Sequence, residues 1–254
     1  MKLHSNAFLA AIRSGRPQIG VWLSLSTAFA AEAVAGAGFD WALIDMEHSP
    51  NDLVSVMGQL QVFAAYETTP IVRPEWNDTV LIKRLLDAGA PGLLLPMVQS
   101  EEEAGKAVAA TRYPPRGVRG FSGTTRANGF GRTSDYFTRI EDETAVLVQV
   151  ETRAAIGEAA KIGAVDGVSG VFFGPGDISA DMGLLGRPLD DEVWDLIMPA
   201  ARGLIDAGVP VGTLVTDPAF ARKLVGEGFS FVACGSDAGL LARGADTLLK
   251  TMRA

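Results

Sequence analysis

Short apolar runs rich in β-branched and aromatic residues return eight times along this chain, at 19–25, 41–47, 69–74, 92–97, 145–151, 168–174, 209–215 and 229–235. Alanine-rich stretches with helical spacing lie between most of them, at 29–37, 53–65, 80–88, 101–111, 154–162, 218–226 and 240–252. Runs of this kind read as buried parallel strands, since a strand covered on both faces has no polar alternation. Strand–helix alternation implies right-handed βαβ units. Eight such units predict closure into a (β/α)8 TIM barrel, and the 254 residues suit one barrel of about 250 residues. The expectation is therefore α/β, one domain over 1–254. A doubly wound sheet is the alternative, weakened because no Gly-x-Gly-x-x-Gly follows the first run.

In such a barrel the chemistry sits at the C-terminal ends of the strands. In chain order these ends offer Asp45, Glu47 and His48, then Arg73, then Met97 and Gln99, then Gln149 and Glu151, then Asp177, then Thr213 and Leu214, then Ser236 and Asp237. Gln149 and Glu151 are two apart and share a face. Asp177 follows Gly174-Pro175-Gly176, read as a turn. Two carboxylates at the same end of neighbouring strands suit a hard divalent cation; pairing with arginines is the plainer reading. His48 is either a proton carrier or a hydrogen-bonded rim residue. Arg73 either forms an ion pair with Asp45 or Glu47 or donates to a developing oxyanion. Two longer insertions, 113–140 and 178–189, are read as following strand C-termini, where working loops sit. Cys234 reads as a small buried hydrophobe.

Absences narrow the chemistry. Every lysine (Lys2, Lys83, Lys106, Lys161, Lys223, Lys250) falls in a helical stretch or at the terminus, which disfavours a Schiff-base mechanism. There is no Cys-x-x-Cys zinc pattern and no Walker loop. A net charge of −8 without a basic block argues against nucleic acid or an anionic membrane as partner. The lone Cys234 fits a reducing compartment, and no signal-peptide pattern is seen, so the expected location is cytoplasmic.

Asp45-Met46-Glu47-His48-Ser49-Pro50, Val72-Arg73-Pro74 with Trp76-Asn77-Asp78, Leu85-Leu86-Asp87-Ala88-Gly89-Ala90, Pro96-Met97-Val98, Arg116-Gly117-Val118-Arg119-Gly120, Gln149-Val150-Glu151 and Phe173-Gly174-Pro175-Gly176-Asp177 occur in this order. Together they resemble the class II, metal-dependent pyruvate aldolases of the 4-hydroxy-2-oxoheptanedioate and 2-dehydro-3-deoxyglucarate aldolase type, over nearly the whole chain. The resemblance implies reversible retro-aldol cleavage of 4-hydroxy-2-oxo acids to pyruvate and an aldehyde through a metal-bound enolate. It implies that Glu151 and Asp177 hold Mg2+, Mn2+ or Co2+, and that Gln149 with the backbone of Gly176 and Asp177 holds pyruvate. It casts His48 as base, Arg73 as enolate stabiliser, and Asp87, contributed by a neighbouring subunit, as the group that orients His48 and raises its basicity. It further implies a homohexamer with a swapped C-terminal helix. The chain departs from the family at Gly176, where many relatives carry alanine. The aldehyde end of the substrate is expected to meet the arginines of 116–132. Rival readings are an acyl-CoA lyase of the citryl- or malyl-CoA type and a non-catalytic oxo-acid-binding barrel.

Overall fold

The computed structural model describes all residues, 1–254. Its strands are β1 (Gln18–Leu23), β2 (Trp41–Asp45), β3 (Thr69–Arg73), β4 (Gly92–Leu95), β5 (Ala145–Val150), β6 (Gly170–Phe173), β7 (Val211–Val215) and β8 (Phe231–Ser236). They close into one barrel in sequence order, every neighbouring pair parallel, with β1 returning to β8 through a register shift between Gly20 and Trp22. The eight apolar runs are these eight strands, with ends shifted by one or two residues.

The helices are α1 (Ala7–Arg13), α2 (Ala28–Ala35), α3 (Leu53–Phe63), α4 (Thr79–Ala88), α5 (Glu101–Thr111), α6 (Tyr136–Glu143), α7 (Arg153–Gly163), α8 (Pro175–Asp181), α9 (Asp191–Asp206), α10 (Pro218–Gly226) and α11 (Asp237–Arg253). Most helices that follow a strand open on a capping side chain: Thr27, Asp52, Asp78, Ser100, Thr152, Asp217 and Ser236 each accept an amide of the first turn. A cap of this kind satisfies an otherwise orphaned donor and is worth roughly 1 kcal/mol.

Inside the barrel the rings of Trp22, Trp41, Phe172 and Phe231 pack at 5.7–6.3 Å between centroids. Gly20 and Gly212 make that possible, because a Cβ at either would collide with the rings of Trp41 and Phe231. Helix α1 closes the N-terminal end. Asn6 caps it, and Phe8, fully buried, lies 5.6 Å from Trp41 and 5.8 Å from Phe231. A second and larger apolar layer lies between the strands and the surrounding helices.

Three expectations are corrected. Gly174-Pro175-Gly176 is not a free turn but the start of α8, with Pro175 in the first helical turn, where its missing N–H costs nothing and its fixed φ suits the helix. Helix α9 is additional to the helical stretches read from spacing; it carries Pro199 in its interior. The insertion 113–140 does not follow a strand: it leaves the end of α5 and runs into α6, which leads to β5. It therefore lies at the N-terminal end of the barrel, and the arginines of 116–132 do not face the strand C-termini of their own chain.

Helix α11 departs from the pattern. From Leu240 onward every residue is exposed, and Leu240, Leu241, Leu248, Leu249 and Met252 are 50–76% exposed. No helix of the chain is long and apolar enough to cross a membrane.

Candidate active site

Glu151 lies one residue past β5 and is 1% exposed. Its Oε1 accepts the amide of Met97 at 2.9 Å, and Met97 takes a left-handed backbone (φ 53°) to aim that amide, a conformation that costs a non-glycine residue of order 1 kcal/mol or more. Asp177, in the first turn of α8, lies within hydrogen-bonding reach of Glu151 and is itself exposed. Burial, with Asp177 and Glu47 close by, pushes the Glu151 carboxyl up to about 8. Neither Glu151 nor Asp177 forms an ion pair with an arginine or lysine, and Arg73, held by Asp45 and Glu47, acts on Glu151 only at longer range, so the arginine-pairing reading of these two carboxylates is not realised. Gly174 lets them meet: a Cβ there would stand 3.0 Å from Glu151 Cγ and 3.3 Å from Gln149 Nε2. Gln149 is 2% exposed, and its Oε1 is buried without a partner.

Arg73 is the buried cation of the rim. Its Nε and Nη2 donate to Asp45 Oδ1 and Oδ2 at 2.8 and 2.9 Å. Its Nη1 is 2.9 Å from Glu47 Oε2, though out of line for a directed hydrogen bond, so that oxygen counts as unpartnered. The contact is thus coulombic. Both ion pairs weighed from the sequence exist, and they fix the guanidinium with its Nη1 end toward Glu47. Beneath it, the ring of Trp22 lies 5.2 Å from Cζ, close enough for a cation–π contribution. Burial holds the Glu47 carboxyl above its ordinary range despite Arg73. His48 is exposed, with Nε2 3.9 Å from the same Glu47 Oε2 that faces Arg73. Glu47 therefore links the proton-carrying candidate to the guanidinium.

Asp87 sits elsewhere. It is in the last turn of α4, and helix C-termini in this barrel lie at the end opposite the strand C-termini; its Oδ1 accepts from Arg119 Nη2 at 2.7 Å. The structure thus brings together His48, Arg73, Gln149, Glu151, Gly176 and Asp177 at one rim and leaves Asp87 at the other. A cavity of about 360 Å3 lined by Leu3, Asn6, Thr69, Pro91 and Arg119 also opens at that other end, remote from the carboxylates. Sequence reasoning missed Trp22, which looked like one more strand hydrophobe, and the need for glycine at 174. It placed Cys234 in the core, whereas the thiol is partly exposed and only packs against that core.

The rim suits a hard divalent cation. The two side chains that meet there, Glu151 and Asp177, offer carboxylate oxygens. No set of three or more His, Cys, Asp or Glu side chains converges there or elsewhere, so substrate and water oxygens would complete the shell.

The sequence and the fold match known proteins. Residues 18–244 match the model of the HpcH/HpaI aldolase/citrate lyase family. A protein of Salmonella dublin named 4-hydroxy-2-oxo-heptane-1,7-dioate aldolase is 52% identical over 96% of this chain and 93% of its own. The crystal structure of an HpcH/HpaI aldolase/citrate lyase family protein from Burkholderia cenocepacia J2315 superposes with a TM-score of 0.95 at 37% identity, covering 98% of this chain and 100% of that one. That of the HpcH/HpaI aldolase from Desulfitobacterium hafniense DCB-2 gives 0.87 at 28% identity, covering 96% and 95%. With carboxylates, guanidinium and imidazole on one rim of a closed barrel and a family match running from β1 into α11, the chain belongs to the HpcH/HpaI aldolase/citrate lyase family.

Proposed function

We propose that this chain is a class II pyruvate aldolase, cleaving a 4-hydroxy-2-oxo acid reversibly to pyruvate and an aldehyde. The observation that carries the reading is the meeting of Glu151 and Asp177 near Arg73, with neither carboxylate taken up in an ion pair. The Salmonella relative, named for a seven-carbon dioate substrate, supports the substrate class. A divalent ion (Mg2+, Mn2+ or Co2+) held by Glu151 and Asp177 would supply Lewis-acid polarisation of the 2-oxo group and so acidify the neighbouring C3.

The chain's own residues do the rest. Gln149, with its amide buried beside Glu151, and the backbone amides of Gly176 and Asp177 hold the pyruvate carboxylate and fix its orientation. Arg73, locked by Asp45 on one edge, directs its remaining N–H groups at the oxygen where negative charge develops. Removing one such donor typically lowers the rate ~10²–10³-fold. His48 takes the proton, from the C4 hydroxyl in cleavage and from C3 in exchange. Asp87 orients His48 in the site of another copy, because within one chain the two stand at opposite ends of the barrel. The unseated leucines of α11 support assembly through that helix, and we read the assembly as a homohexamer working in the cytoplasm on small soluble acids.

The test is deuterium exchange at pyruvate C3, followed by NMR beside aldol cleavage. Excess EDTA should abolish both, and Mg2+ or Mn2+ should restore both. Arg73→Ala should lose both with metal present. Full activity in EDTA would end the metal reading.

A further inference from the structure

The loop joining α5 to α6 is longer than a connection requires, and it carries Arg116-Gly117-Val118-Arg119-Gly120 to the barrel end opposite the carboxylates. There it wraps the C-terminal turn of α4. The Ala127 amide donates to Asp87 O at 3.1 Å. Arg126 Nη1 donates to Ala88 O at 2.8 Å, in space that Gly89 leaves free: at its left-handed φ of 97°, a Cβ would stand 2.7 Å from that nitrogen. Helix C-termini leave carbonyls unsatisfied, so these contacts hold the helix end. Arg119 holds the side chain. Its backbone is pinned to the end of α5 by Val118 N–Ala109 O at 2.8 Å and Arg119 N–Arg112 O at 2.9 Å. Gly117 permits the approach, since a Cβ there would collide with Ala109 O. The guanidinium lies 4.6 Å from the Tyr113 ring centroid, and Nη2 donates to Asp87 Oδ1 at 2.7 Å and Tyr136 Oη at 3.2 Å.

We propose that Arg119 is the positioning residue of Asp87, fixing one carboxylate oxygen so that the other faces outward from this end of the barrel. This rests on the reading in which Asp87 serves His48 of another copy. The Asp87 side chain is 25% exposed, and Oδ1 alone is bonded within the chain. Val118, Phe121 and Phe130 of the same loop are 60–72% exposed, a face of the kind that a second protein surface covers. Packing does not account for Arg119. Its side chain is fully buried, yet Nε and Nη1 find no partner, and stranded donors of this sort oppose folding. A methionine would fill the space without them. What the guanidinium alone supplies is a rigid, directed N–H at Asp87.

The experiment compares Asp87→Asn, Arg119→Met and the double variant in the assembled, metal-loaded enzyme, with kcat, KM and thermal midpoint measured for each. Arg119→Met should lower kcat ~10–100-fold, as loss of a supporting partner does, with KM and midpoint little changed, because methionine fills the buried space and Asp87 is part-exposed to solvent. The double variant should be no worse than Asp87→Asn, the signature of two residues acting as one unit. Arg119→Lys should recover part of the loss, and Tyr136→Phe should show a smaller kcat effect; this pair carries the test if Arg119→Met fails to fold. Reassembling Asp87→Asn subunits with His48→Ala subunits should restore activity to mixed sites. Full activity of Asp87→Asn, or no restoration on mixing, overturns the underlying reading. An impaired Asp87→Asn beside an unimpaired Arg119→Met, or additive losses in the double variant, leaves that reading standing and overturns this inference.

Discussion

At the N-terminal end of the barrel, Phe8 seals an aromatic stack against Trp41 and Phe231. At the C-terminal end, buried Glu151 feels the charges of Asp177 and Glu47, Glu47 Oε2 and Gln149 Oε1 lack hydrogen-bond partners, and Met97 is held in a left-handed backbone. The first end removes apolar surface from water and gains stability by it. The second gathers like charge in a place of low polarisability, which opposes folding. The contrast teaches where binding energy is stored: the packing beneath the rim keeps it unsatisfied, and the proposed cation and oxo acid would complete it.

The contrast breaks most visibly at Phe8. Phe8→Ala should destabilise the protein by ~3–5 kcal/mol while leaving kcat per folded molecule unchanged, as read by denaturant titration beside active-site titration. A catalytic loss larger than the folded fraction explains would mean that the two ends are coupled.

A somewhat smaller effect is expected from pH. The Glu151 carboxyl is raised from its ordinary 4.5 to about 8. An acid with a higher pKa in the folded chain binds its proton more tightly there than when unfolded, so the metal-free protein should lose stability as pH rises through that window. The slope is at most about 1.4 kcal/mol per pH unit. Saturating Mg2+ or Mn2+ should flatten the decline, since metal takes the proton's place, and so should Glu151→Gln. Thermal midpoints between pH 5 and 8 decide it; a flat profile for metal-free wild type would remove the claim of stored charge.

The smallest effect is at Gly176. Its φ is not left-handed, and a Cβ would meet nothing within 4 Å. Gly176→Ala should therefore stabilise the first turn of α8 by ~0.4–1 kcal/mol, and pyruvate affinity measured by calorimetry should not change. Weakened pyruvate binding would show that the open space belongs to the substrate.

The barrel was legible because parallel strands buried on both faces leave long apolar runs, and Gly38, Gly89 and Gly228 mark the ends of helical stretches. The rim residues followed from strand ends alone. Helix α8 was hidden because Gly-Pro-Gly resembles a turn until proline is placed at the helix start, and Pro199 obscured the spacing of Val193, Trp194, Ile197, Ala201 and Leu204 in α9. The side of the barrel to which 113–140 belongs depended on assigning it to the end of α5 rather than of β4. The Arg119–Asp87 pair spans 32 residues and leaves no mark in local pattern, since nothing about an arginine in a glycine-rich loop says which carboxylate it will meet.

Helix α11 carries a consequence for the amount of protein present as well as for its sequence. In the assembly proposed above, a rod whose leucines find no seat in their own barrel would make solubility a matter of mass action: at high dilution each molecule would present a sticky arm, and crowding among its own kind would render it benign.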